Sequence, residues 1–201
     1  MPGTARKRDP AAARQRILAA AQALLVQGDG NFEMSWVAKA AGVSQGLAYH
    51  HFGSKEGLLQ AVVNDFYDRV DDAALMARLH EIQDWEAREQ ERVYRYIEFL
   101  INDPLGVVII TRLARTPAVA VVEAERWDAL VAVGARNVAE GQASGAVGAR
   151  ENSELLAAMV LGAVRAAVAR AIAQGRTKQT RKLAREIWAF ARRGLQLNEA
   201  A

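Results

Sequence analysis

Residues Val37 to Phe52 place a glycine, Gly42, between two short segments that each carry apolar residues on one narrow face. Few folds are open to a chain that does this. Val37, Ala38 and Ala41 fall at i, i+1 and i+4, one face of a helix starting near Ser35. Gly42 stops that helix, because glycine takes positive φ without a Cβ clash and lets the chain turn sharply. Val43 plugs the turn, Ser44 is a good N-cap for a second helix, and Ala48 with Phe52 gives that helix an inward i, i+4 pair. Its outer face carries Gln45, Gly46, Leu47, Tyr49 and His50, which can donate, accept or make apolar contact, with Gly46 allowing close approach to a surface. A third helix opens at Ser54-Lys55-Glu56, where Glu56 suits the positive helix end and Lys55 can share a phosphate with backbone N–H groups. Such a pair suits a DNA groove; a compact αα turn with no partner gives the same pattern.

Charge distribution favours the first reading. Residues 1–60 hold seven Lys/Arg and four Asp/Glu, whereas residues 61–201 hold nineteen of each. All the excess positive charge therefore lies with the candidate reading head, as a DNA-binding module on a neutral body requires. Arg6-Lys7-Arg8 is either a basic arm that strengthens binding non-specifically or a solvated tail.

The run from Arg14 to Phe66 contains Arg16-Ile17-Leu18-Ala19-Ala20-Ala21, Gly28, Val37-Ala38, Ala41-Gly42-Val43-Ser44, Gly46, Tyr49, His51-Phe52, Lys55 and Leu58-Leu59. In this order it resembles the N-terminal domain of TetR-family transcriptional regulators. The resemblance implies an all-α homodimer, with three N-terminal helices that bind DNA and a larger, divergent C-terminal domain that binds an inducer and dimerises. It implies base and phosphate contacts at Gln45, Gly46, Leu47, Tyr49, His50 and Lys55, with Ser35 and Ser44 counted in the same surface. Three positions depart from the family pattern. Where Met34 stands the family often has Thr or Ser; a thioether is no use to a phosphate oxygen, so that contact passes to Ser35 or is lost. Leu47 replaces a frequent Thr and suggests contact with a thymine methyl, and Ala48 replaces a common Leu and leaves the small core less filled.

The expected organisation is therefore a helix-turn-helix domain over 10–70, with its motif at about 33–52, and a ligand-binding and dimerisation domain over 71–201, about nine helices in total. Four prolines and a 51% hydrophobic content rich in Ala, Leu and Val agree with an all-helical chain. The absence of cysteine excludes disulfides and Cys-ligated metals and is compatible with a reducing compartment. No apolar run reads as an uninterrupted membrane span, and 1–16 lack a signal-peptide core, so a cytoplasmic address with no membrane partner is expected.

In the head, Ile17, Ala20, Ala21, Leu24 and Leu25 form the buried stripe of a first helix ending before Gly28. After the motif, Leu58, Leu59, Val62, Val63, Phe66, Tyr67 and Val70 recur at helical spacing and predict a helix from Lys55 to about Leu79. It belongs to both domains and is the natural lever between them. Body helices are predicted near Asp84–Ile101, from Asp103-Pro104 to before Thr116-Pro117, over about Ala118–Ala143, Asn152–Gln174 and Lys178–Leu197, with Gly141, Gly145 and Gly148 marking a loop.

The segment Leu155–Ile172 is apolar nearly all round and dense in Ala and Gly, which implies burial on both sides and close helix approach. With Leu183, Ile187, Trp188, Phe190 and Ala191 it suggests a four-helix interface with a second copy over about 152–197; an intrachain core helix is the alternative. Two recognition helices in such a dimer, about 34–36 Å apart, address a pseudo-palindromic double-stranded operator.

Candidate walls of a mostly apolar inducer pocket are Phe66, Trp85, Tyr94, Phe99, Trp127 and Met159, each of which is also ordinary core. Arg165 and Arg112, on apolar helices, need carboxylate partners supplied by a ligand or by an internal or intersubunit salt bridge. His80 is a ligand contact or an exposed helix-end residue. An enzyme is not expected. His50 and His51 project about 100° apart on a helix and cannot face one metal, and no phosphate loop or nucleophile triad can be identified. No cofactor or metal follows. The reading is a ligand-responsive DNA-binding repressor. Its rivals are an activator, a regulator switched by a protein partner, and a helical dimer that no longer binds DNA.

Overall fold

The computed structural model describes residues 10–75, 79 and 81–197. Arg6-Lys7-Arg8 and His80 lie outside them. Among the described residues the chain is all-α, with nine α-helices and two short π-helical turns.

The head begins with α1 (Pro10–Gln27), which buries Ile17, Leu18, Ala21 and Leu25. A turn through Asp29 and Gly30 leads to α2 (Met34–Ala41), and α3 (Gln45–Phe52) follows. Gly42 sits at φ 65°, and the Val43 amide donates to the Ala38 carbonyl at 3.0 Å, which closes α2 and redirects the chain. The Ser44 hydroxyl accepts from the Leu47 amide at 3.2 Å, so α3 starts where its cap dictates. The hydroxyl of Ser54 repeats this for α4 (Lys55–Val70), accepting from the Gly57 amide at 2.9 Å.

Helix α4 buries Leu58, Val62, Val63, Phe66 and Val70, all within the main apolar core. It does not continue as a regular helix to Leu79. A π-helical turn, Asp71–Leu75, follows, and Leu79 is non-helical. Arg126 holds Asp68 and Asp71 together across this widened stretch, a tertiary restraint that periodicity does not register.

In the body, Asp84 caps α5 (Trp85–Asn102), and Asp103 caps α6 (Pro104–Val108), accepting from the Leu105 amide at 2.8 Å. A second π-helical turn, Ile109–Leu113, precedes α7 (Pro117–Ser144). Gly141 is not in a loop but inside α7, where a Cβ would stand 2.7 Å from the Trp85 ring; the missing side chain lets α5 lay its indole on α7. The last two helices are α8 (Ser153–Ala173) and α9 (Thr180–Gly194).

A continuous apolar core runs from Ile17 in α1 through Phe66 and Ile97 to Val168 and Ile187, so head and body share packing through α4. A smaller cluster gathers Trp85, Val138, Leu156 and Trp188.

Helix α8, with 21 residues and a mean hydropathy of 1.9, is long and apolar enough to cross a membrane by length and composition alone, although Arg165 and Arg170 interrupt its apolar run. It packs against α7 and α9, yet only a third of its apolar window is buried. Leu155 and Met159 on α8 and Phe190 on α9 are exposed by more than half. Leu183, Ile187, Trp188 and Ala191, expected beside Phe190 at an interface, instead face the chain's own core, because α9 turns its strongly apolar stripe inward.

Candidate DNA-reading head and body cavity

Helix α3 presents Gln45, Gly46, Tyr49 and His50 to solvent, with Leu47 half-buried beside them, while Ala48 is fully buried against the head core. Ser44 is exposed, but its hydroxyl is engaged as the α3 cap, and Ser35 is exposed on α2. Gln45, Gly46, Tyr49 and His50, at i, i+1, i+4 and i+5, therefore share the outer face of α3.

Two details depart from expectation. Met34 points into the head core at 3% exposure, so its lack of a hydroxyl says nothing about phosphate binding. Just before α2, the N-cap residue Glu33 faces outward, makes no capping bond and reaches Lys55 Nζ at 3.1 Å. Lys55, expected to be free for a phosphate, is thus ion-paired, and its ammonium lies 5.3 Å from the Phe32 ring centroid. Sequence reasoning also passed over Trp36, an indole 57% exposed on α2; its place off the Val37–Ala38–Ala41 face was the available signal.

The body holds a cavity of two adjoining chambers, which share Leu75, Tyr96, Leu130 and Val133. The first, about 80 Å³, lies between Trp85, Val93, Leu161 and Trp188. Its polar residues satisfy one another: Arg92 Nε lies 3.0 Å from one oxygen of Glu89, and Asn137 Nδ2 donates to the other at 3.1 Å. Burial raises the Glu89 carboxyl above its ordinary value, with Arg92 opposing.

The second chamber, about 130 Å³, is more polar. Arg165 pairs with the largely buried Glu123, whose other oxygen accepts from the Tyr67 hydroxyl at 2.8 Å. Burial, then the Glu123 charge, raises the Tyr67 pKa. Arg126 donates to Asn64, Asp68 and Asp71, and burial raises the Asp71 carboxyl against the pull of that guanidinium. Tyr96, on the shared wall, has its phenol pushed up to about 12 by burial. Its hydroxyl has no hydrogen-bond partner among the described residues.

Of the expected ligand residues, Trp85, Trp127 and Arg165 line this cavity. The other five are placed elsewhere. Phe66 is fully buried core, edge-on to Tyr67. Tyr94 faces α9, under the Arg181 guanidinium, and donates to Glu98. Phe99 packs between Phe66 and Arg69 at a separate surface groove. Met159 points outward from α8. Arg112 pairs with Asp29 of the head. The walls that sequence reasoning missed were marked by periodicity: Trp85, Glu89, Arg92, Val93 and Tyr96 form one i, i+3/i+4 stripe of α5, with Tyr94 on the opposite side. Among the described residues no group of three or more His, Asp or Glu could hold a metal ion.

A three-helix head with an open second motif helix, joined by one long helix to a cavity-bearing helical body, defines a helix-turn-helix protein of two-part build. Residues 17–62 match the family model described as bacterial regulatory proteins, tetR family. The head is thus similar to the DNA-binding domain of that family. The HTH-type transcriptional regulator BetI of Klebsiella pneumoniae (strain 342) is 36% identical over 81 residues, which are 40% of this chain and 41% of that protein. The chain thus spans about two fifths of the length of the curated relatives it matches. Among solved structures, the transcriptional regulator FadR of Bacillus subtilis, in complex with stearoyl-CoA, superimposes with a TM-score of 0.76 at 17% identity, over 90% of this chain and 98% of that one. The fatty acid degradation regulator FadR of Bacillus halodurans gives 0.73 at 20% identity, over 96% and 100%. At these identities the likeness is one of fold.

Proposed function

We propose that this protein is a homodimeric, ligand-responsive DNA-binding regulator, acting as a repressor in the cytoplasm. Residues 10–70 read the DNA, and the rest of the chain binds the ligand and dimerises. The observation that carries this reading is the continuous surface of Gln45, Gly46, Leu47, Tyr49 and His50 on α3, set on a head that α4 connects to the cavity. Gln45 reads base edges, Leu47 meets a thymine methyl, and Tyr49, His50, Ser35 and Lys55 position the backbone.

The exposed apolar side of α8, with Leu155 and Met159, together with Phe190, supports pairing with a second copy, because apolar surface of this kind is stable in water only when covered. Ligand in the cavity presses on Leu75 and Asp71, where the π-helical turn continues α4. A change there alters the separation of the two heads, so that both no longer fit successive grooves. The demand is modest: couplings of about 1–3 kcal/mol change affinity by about 5- to 150-fold. That FadR of B. subtilis was crystallised with stearoyl-CoA supports a small-molecule site in a body of this fold.

The test is binding of the purified protein to DNA upstream of its own gene across a salt series. Sequence-preferring binding that weakens steeply as salt rises supports the reading; no sequence preference at any salt overturns it.

A further inference from the structure

The two chambers differ in what they leave unsatisfied, and that difference defines a ligand class. In the first chamber Glu89, Arg92 and Asn137 bond to one another, so the remaining surface, with Val93, Leu161 and Trp188, asks only for hydrocarbon. In the second, every guanidinium already has a carboxylate: Arg165 has Glu123, and Arg126 has Asp68 and Asp71. Among the lining residues Asp71 and Glu123 balance Arg126 and Arg165, so neither an anionic nor a cationic ligand finds a free counter-charge there. What remains unspent is donor capacity. Arg165 reaches Glu123 through Nη2, and the Tyr96 hydroxyl, at the junction of the chambers, has no partner among the described residues. A hydroxyl open to the cavity can donate to a ligand, and with no free counter-charge beside it the ligand group that suits this junction is an acceptor without charge.

We infer that the cavity takes an elongated, uncharged amphipath, with a hydrocarbon arm in the first chamber and a carbonyl oxygen, as in an ester, amide or ketone, accepting from Tyr96 in the second. The raised phenol pKa keeps Tyr96 protonated, and therefore a donor, across neutral pH. This rests on the ligand-responsive reading for its biological sense, but not for its measurement.

Titration calorimetry of the full chain, without DNA, compares methyl octanoate, octanoate and octyltrimethylammonium below their micelle concentrations. Methyl octanoate binds at least tenfold more tightly than either charged probe, Tyr96→Phe weakens it about tenfold, and Leu161→Trp, which fills the hydrocarbon chamber, abolishes it. Tyr96→Phe removes only the hydroxyl, and an unchanged melting temperature shows that its effect is not one of folding. Equal or tighter binding of either charged probe overturns the inference, as does an unchanged affinity in Tyr96→Phe or no binding of any probe. If methyl octanoate binds as expected but does not release the protein from its DNA, the cavity inference stands and the ligand-responsive reading fails.

Discussion

Arg112 Nε lies 2.9 Å from a carboxylate oxygen of Asp29, tying the π-helical turn before α7 to the loop between α1 and α2. Head and body are thus fastened at a second place besides α4. Next to the pair, Gly30 sits at φ 94°, with the position of an added Cβ 3.2 Å from Arg112 Cβ. Gly30→Ala combines an unfavourable φ with a close contact and is expected to cost about 1–3 kcal/mol. Arg112→Ala breaks a solvent-exposed pair and leaves the melting temperature almost unchanged. Thermal denaturation of the two variants checks this; an equal drop in both would mean that the ion pair, not the backbone, holds the junction.

Glu33 holds the ammonium that a DNA phosphate would take. Glu33→Gln is therefore expected to tighten DNA binding roughly two- to fivefold, the scale of a released exposed ion pair, while Lys55→Ala weakens it across all sequences and lowers the salt slope by about 1. Gln45→Ala instead relaxes preference at particular bases. Fluorescence anisotropy with operator and scrambled duplexes separates these outcomes, and an unaltered preference in Gln45→Ala would remove that residue from base readout.

The raised Glu89 carboxyl carries a sign that denaturation can read. The folded protein holds this proton more strongly than the unfolded chain, so stability falls as pH rises from about 4.5, the ordinary Glu value, towards the higher folded pKa. Urea titrations across that window should show a shallower fall for Glu89→Gln than for wild type. A parallel pair of curves would contradict the raised pKa.

For the proposed dimer, sedimentation at micromolar concentration should give twice the chain mass for wild type. Phe190→Glu and Met159→Glu should give the monomer with little change in helicity, since both side chains are more than half exposed on one chain. Monomeric wild type at that concentration would contradict the interface.

The head was legible in the sequence because its determinants are local. A glycine at positive φ, serines at two caps and an i, i+4 pair fix helix ends and inward faces within about fifty contiguous residues, and most helix boundaries in the body followed from Asp, Pro and Gly in the same way. The cavity was only partly legible. Trp85, Trp127 and Arg165 were named from residue type, but Phe66, Tyr94, Phe99, Arg112 and Met159 were named on the same grounds and point elsewhere. An aromatic residue reads alike in a core, a groove or a pocket wall. Which of these it becomes depends on the rotation of its helix against its neighbours.

By itself, then, the sequence determined the all-helical class, the turn between α2 and α3 and the outward residues of α3, since each rests on interactions spanning a few positions. Tertiary structure alone decided that Glu33 occupies Lys55, that Arg126 gathers Asp68 and Asp71 at a π-helical turn, and that Arg165 is answered by Glu123. These partners lie some 20 to 60 residues apart along the chain. Only packing selects one carboxylate for each of them among the many that the composition offers.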